Sequence, residues 1–93
     1  MAEPLSDDRI HLIAKALADP RRLDLLRRIS GAGDELSCEA IRSCCSVSAP
    51  TVSHHMKELE TAGLVETERE GKFVRYRLRR EVLEAYLKSL ASI

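Results

Sequence analysis

Aromatic residues are nearly missing from this chain of 93 residues: it has Phe73, Tyr76 and Tyr86 and no tryptophan. A stacking platform for single-stranded nucleic acid needs several exposed rings, so that mode of binding has little to work with. There is no run of about eighteen apolar residues, which excludes a helical membrane span. The start, MAEPLSDDRI, is acidic and lacks a basic head followed by an apolar core, so it does not read as a signal peptide. Cysteine is scarce and odd in number, at Cys38, Cys44 and Cys45. That is no secreted disulfide framework, and a reducing cytoplasm is the expected compartment. An excess of charge of either sign is also lacking, since fifteen basic residues balance fifteen acidic ones. A polyanionic partner must therefore be argued from local charge.

What is there fits one compact domain over residues 1–93, with hydrophobic residues at 44% and charged residues at 32%. A domain this small buries a modest share of its surface and gains from association. Ser6 can cap a first helix, with Asp7 and Asp8 at its positive end and Ile10, Ile13, Ala14 and Leu17 at helical spacing. Asp19-Pro20 ends it and starts a second helix, with Leu23, Leu25, Leu26 and Ile29 apolar and Arg21, Arg22, Arg27 and Arg28 toward water. Residues 30–34 form a loop. A short third helix spans about residues 37–45, with Cys38, Ile41 and Cys45 inward. Ser46-Val47-Ser48 is a turn, and a fourth helix spans about residues 49–62, with Val52, Met56 and Leu59 as its apolar stripe and Gly63 as its stop. The period then changes from helix to strand. Residues 64–69 and 72–78 predict a β-hairpin about Glu70-Gly71, in which Val74, Tyr76 and Leu78 alternate with Phe73, Arg75 and Arg77. A last helix spans about residues 80–90, with Val82, Leu83, Tyr86, Leu87 and Leu90 apolar.

The fold class is thus mainly α with one β-hairpin: four helices, a hairpin and a fifth helix. Helices three and four, joined by a tight turn of about three or four residues, have helix-turn-helix geometry, in which the second helix enters the DNA major groove. The hairpin reads as a wing. With its apolar stripe inside, the fourth helix leaves Thr51, Ser53, His54 and Lys57 for its other face, after the cap residue Ser48. Hydroxyls and a helix start suit phosphates, and the imidazole and ammonium can reach base edges or phosphates. A solvated helix face would look the same in isolation; the flanking turn and hairpin favour the DNA reading. Between residues 69 and 80, Arg69, Lys72, Arg75, Arg77, Arg79 and Arg80 stand against Glu70 alone, whereas residues 1–19 carry Glu3, Asp7, Asp8 and Asp19 against Arg9 and Lys15. The balanced total hides a polarised chain, and Lys72 and Arg75 are placed for phosphates on the wing. The same charges can also keep a strand edge from aggregating.

The stretch SVSAPTVSHHMKELETAGLVETEREGKFVRYRL closely resembles the recognition helix and wing of the ArsR/SmtB-type winged-helix repressors. LADPRRLDLLRRI resembles their second helix, and the likeness extends over about residues 10–90. The run P-T-V-S-H-H-M-K-x-L-x-x-A-G-L-V is far more specific than a bare helix-turn-helix pattern. The resemblance implies a homodimeric bacterial repressor on a pseudo-palindromic, double-stranded operator, paired through its first and last helices. It also implies that the residue at His54 reads DNA. Members commonly carry Gln where this chain has Ala49, a loss of a side chain able to bond adenine.

Metal-sensing members carry a Cys-x-Cys pair that would fall on Ser37 and Glu39, and others use Asp and His in the last helix, where residues 82–93 have none. No metal and no cofactor are expected. His55, between the exposed and buried faces, reads as a structural or phosphate-contacting histidine and not a metal ligand; His11 reads as a surface or interface residue. Cys38, Cys44 and Cys45 are either core packing or a thiol-based metalloid or redox sensor. In a regular helix Cys44 and Cys45 point differently, so joint chemistry requires the helix end to rearrange. A winged-helix interaction module that never touches DNA is the remaining alternative, favoured by the neutral total. No enzyme is expected, because no nucleophile–base–acid constellation, phosphate loop or spaced ligand set occurs.

Overall fold

The computed structural model describes residues 5–93. The part of the leader reading that falls on residues 1–4 lies outside the described residues. α1 runs Asp7–Leu17 and begins where the Ser6 hydroxyl accepts from the Arg9 N–H at 3.2 Å. α2 runs Pro20–Gly31, and the Asp19 carboxylate accepts from the Arg21 N–H at 2.8 Å. Both starts satisfy a donor that the helix itself cannot. The inward stripe of α1 is corrected at one residue: Ala16 is buried and Ala14 is exposed. Arg22 is also corrected. It does not face water but folds back to donate to the Ala16 carbonyl at 2.7 Å, so it closes the end of α1.

A short strand that the residue spacing does not predict follows: β1, Glu35–Ser37, which takes in the expected start of the third helix at Ser37. Then come α3, Cys38–Cys45; α4, Ala49–Thr61; β2, Val65–Glu70; β3, Phe73–Leu78; and α5, Arg80–Ala91. The sheet is antiparallel in the order β1-β3-β2, with Leu36 opposite Tyr76 and Thr67 opposite Tyr76 from the other side. The hairpin therefore supplies two strands of a three-stranded sheet, with β3 in the middle. Gly71 takes φ +58 in its tight turn, as a two-residue connection demands. Gly63, at φ +82, ends α4 while the Leu64 N–H bonds back to the Leu59 carbonyl.

The core draws on nearly every element. Ile13, Ile29, Ile41, Val52, Leu59 and Leu64 are all fully buried within one cluster. Only Ile41 of α3 is fully inside; Cys38 and Cys45 pack half-buried against the cluster. α5 starts without a side-chain cap. It is tied down instead by Arg80, whose guanidinium bonds both Asp34 oxygens at 2.7 and 3.1 Å and the Ser30 hydroxyl at 2.6 Å. Arg80 holds the Asp34 carboxyl below the usual carboxylate range, chiefly through that hydrogen bond.

Two predictions follow from this packing. Ile41→Ala leaves a void under the helix-turn-helix and should cost about 2–5 kcal/mol in urea unfolding. A loss below about 1 kcal/mol would show that α3 is not held by this side chain. For Asp34, a depressed folded-state pKa stabilises the protein above the ordinary carboxylate range, and the gain is lost as pH falls through the lowered value. Asp34→Asn should thus be less stable than the parent at neutral pH, and the gap should close in acid. Urea midpoints measured at several pH values check this.

Candidate nucleic-acid interface

The interface begins with the link from α3 to α4. Ser46 adopts φ +52, a left-handed conformation that turns the chain sharply, and its N–H closes α3 on the Arg42 carbonyl. Two residues later the Ser48 hydroxyl accepts from the Thr51 N–H at 3.4 Å and pairs with the Thr51 hydroxyl at 2.9 Å. Ser48 and Thr51 therefore form the capped tip of α4. Pro50 lies in the first turn, where its missing donor costs nothing.

α4 divides its faces sharply. Val52, Met56 and Leu59 are buried, and so is His55 at 5% exposure. Thr51, Ser53, His54 and Lys57 are all exposed. The two histidine rings lie 5.8 Å apart and tilted, one on each side of the division. His55 is buried, which favours the structural reading of it over the phosphate contact. Burial, and then the nearby Arg21, keep it from taking up a proton at its usual pH. Its Nδ1 has no hydrogen-bond partner among the described residues.

The wing holds its charges in pairs. Arg75 bonds Glu35 at 3.0 Å and stacks over the Phe73 ring at 5.3 Å. Arg77 meets Glu35 and Glu68, Arg79 meets Glu66 and Glu81, and Arg80 meets Asp34. Four of the six basic residues between positions 69 and 80 are therefore partly neutralised. This departs from the tally of the segment in isolation, because β1 and β2 bring carboxylates across the sheet. Among the described residues, Arg69 and Lys72 have no such partner within 4 Å. Being exposed, these ion pairs stabilise the fold little, but they restrict how strongly the wing can attract phosphate.

Lys72 stands at the hairpin turn. It shares a cleft of about 620 Å³ with Arg42, Ser43 and Ser46 of the α3 end and with Ala49 at the start of α4. The fold thus brings Lys72 beside the α3–α4 link and the first residue of α4, while Arg75 is engaged with Glu35. Arg42, exposed on α3, is a further cation on this cleft that the sequence reading did not single out. Its signal was present: it lies one position beyond the inward Ile41. No group of three or more His, Cys, Asp and Glu residues that could hold a metal ion occurs among the described residues. No helix among them is long and apolar enough to cross a membrane.

Comparison with known proteins supports the same assignment. A helix-turn-helix domain family matches residues 17–68. The chain is 37% identical over 83 residues to YceK, a helix-turn-helix transcriptional regulator of Bacillus subtilis, which covers 88% of this chain and 83% of that protein. It is 36% identical over 80 residues to the arsenical resistance operon repressor of Staphylococcus xylosus, covering 86% of this chain and 75% of the repressor. A homodimeric winged helix-turn-helix DNA-binding domain of Mycobacterium bovis, solved in solution, superposes with a TM-score of 0.73 at 31% identity, over 99% of this chain and 89% of that one. With a capped helix-turn-helix, a wing beside it and relatives of this kind, the chain belongs to the ArsR/SmtB-type family of winged helix-turn-helix transcriptional regulators.

Proposed function

We propose that two copies of the chain pair through α1 and α5 and bind a pseudo-palindromic operator as a repressor, with one α4 in each of two successive major grooves. The observation that carries this reading is the divided α4. Its buried stripe fixes the helix on the core, and Thr51, Ser53, His54 and Lys57 together occupy the exposed side. Ser48 and Thr51 lie at the positive end of the helix, suited to a phosphate. His54 and Lys57 lie within the first turns, the part that meets base edges in this docking mode. Lys72 adds a phosphate contact from the wing. Arg75 does so only by leaving Glu35, an exposed pair that costs little to open.

The pairing rests on apolar surface left uncovered by the fold. Leu87 is 54% exposed and Leu90 42%, both on α5, and Leu12 of α1 is 39% exposed. A chain of this size gains stability by covering such a surface against a second copy. In a symmetric pair the two α4 helices need a separation of about 34–36 Å to meet successive grooves. That the Mycobacterium bovis domain is homodimeric supports the pairing of two copies.

DNA binding is tested by titrating the protein onto the promoter fragment upstream of its own gene at several salt concentrations. His54→Ala should relax sequence preference at one position of each half-site, by about 1–3 kcal/mol of discrimination. Lys72→Ala should weaken binding to all sequences alike and reduce the salt slope by about one. If both variants bind the operator as the parent does, this docking is wrong; if the parent binds no fragment of its promoter, the interaction-module reading replaces it. Pairing is tested separately by sedimentation. Leu87→Glu should shift the protein from dimer to monomer at micromolar concentration, and an unshifted dimer would place the seam elsewhere.

A further inference from the structure

The three thiols are not equivalent. Cys38 sits at the start of α3 beside Tyr76, whose ionisation burial and then this cysteine push up to about 12. Cys44 and Cys45 close the same helix, and their sulfurs lie 3.1 Å apart. This corrects the expectation that adjacent side chains on α3 diverge. The helix ends at this point, and the Cys44 thiol folds back toward the Ile41 carbonyl at 3.4 Å, which brings it alongside Cys45. Cys44 is exposed, while Cys45 is half-buried against the core. Burial, and then the contact with Cys44, push the Cys45 thiol up, against a smaller opposing pull from the Arg28 guanidinium, which Asp24 holds at 2.9 Å. Cys38 and Cys45 are two helical turns apart, about 10 Å along the axis, too far for direct bonding.

We infer that Cys44 and Cys45 form a vicinal dithiol that a hydroperoxide oxidises to a disulfide, and that closing this ring withdraws α4 from DNA. The second half of the inference rests on the DNA-binding reading above. In the first step the exposed Cys44 sulfur attacks the O–O bond. It keeps one oxygen as a sulfenic acid, and the remainder leaves as water or an alcohol. Cys45 then attacks the sulfenic sulfur, forms the S–S bond and releases water with its own proton. The two thiols lose two electrons and the O–O bond accepts them, so hydroperoxide is the only co-reactant.

The consequence for α4 follows from chain geometry. Neighbouring Cα atoms across a trans peptide are about 3.8 Å apart, whereas disulfides ordinarily join Cα atoms about 4.4–6.8 Å apart. The ring therefore forms only with a distorted backbone at residues 44–45. That is the turn that positions the Ser46 N–H on the Arg42 carbonyl and holds Ser46 at φ +52. Ser48, the cap of α4, follows two residues later. Distortion at residues 44–45 thus enters the only covalent link between the two helices of the helix-turn-helix, and Cys45 also leaves its place against the core.

The test is mass spectrometry on the full-length protein treated with hydrogen peroxide, alkylated and digested with trypsin. Cys44 and Cys45 fall on one tryptic peptide, residues 43–57, and Cys38 on another, residues 29–42. The expected result is a 43–57 peptide lighter by its two thiol hydrogens and free of alkylation, with the 29–42 peptide alkylated. Linkage of 29–42 to 43–57, linkage between chains, Cys44 carried to sulfinic acid with Cys45 still free, or full alkylation would each overturn the inference. In parallel, the oxidised protein should bind the promoter fragment about tenfold or more weakly, with recovery on adding dithiothreitol. Cys44→Ser, at an exposed position, should bind equally well with and without peroxide. Equal binding by the oxidised and reduced parent would overturn the coupling to DNA. A reduced parent that binds no promoter DNA would instead count against the DNA-binding reading, while the peptide masses still decide the dithiol.

Discussion

Val52, Met56 and Leu59 share one buried cluster with Ile13, Ile29 and Ile41, and the usefulness of α4 depends on how that stripe is held. A helix of thirteen residues has too few turns to be stable alone in water. Its stability comes from this burial, and so does its rotation about its own axis. Once the stripe is seated, Thr51, Ser53, His54 and Lys57 have no other side to occupy. The specificity of the surface is thus a by-product of the packing beneath it. A change in the core that leaves the outer residues untouched can still turn them out of the direction in which they now point.

Charge is arranged with similar economy. The chain is neutral overall, and most of the arginines of the sheet find a carboxylate on a neighbouring strand. Such exposed pairs contribute little to folding. Their effect is on range. A wing of uncompensated arginines would attract any polyanion from a distance. A wing whose arginines are occupied, with Lys72 and Arg69 lacking partners among the described residues, draws less on general electrostatics and more on the fit of α4.

Much of this was legible in the residues because helix ends are written in local chemistry. Ser6, Asp19-Pro20, Ser48 and Gly63 mark boundaries that the structure keeps, since each satisfies or removes a specific donor within a few residues. The divided face of α4 was legible for the same reason. β1 was not. Three residues give no period to read, and Glu35–Ser37 becomes a strand only because β3 offers it a partner forty residues further on. The roles of Arg22 and Arg80 were hidden likewise, because each depends on where another element ends. His55 sits at the border of two faces, and only the packing of α2 against α4 decides that it goes inside. The contact between Cys44 and Cys45 depends on the left-handed residue after them, which serine does not advertise.

The anchoring of α5 has a mechanical side. Arg80 fastens the first residue of that helix to Asp34 and Ser30, beside the short strand that borders β3. Among the described residues the far end of α5 carries no comparable fastening, and it leaves Leu90 and Ile93 in solvent. A helix tied at its first residue and seated by Val82 and Tyr86 leaves its last turn as a free arm. A force that a neighbouring molecule applies to the far end acts through the length of the helix as a moment about Arg80, opposed by the buried Val82 and Tyr86.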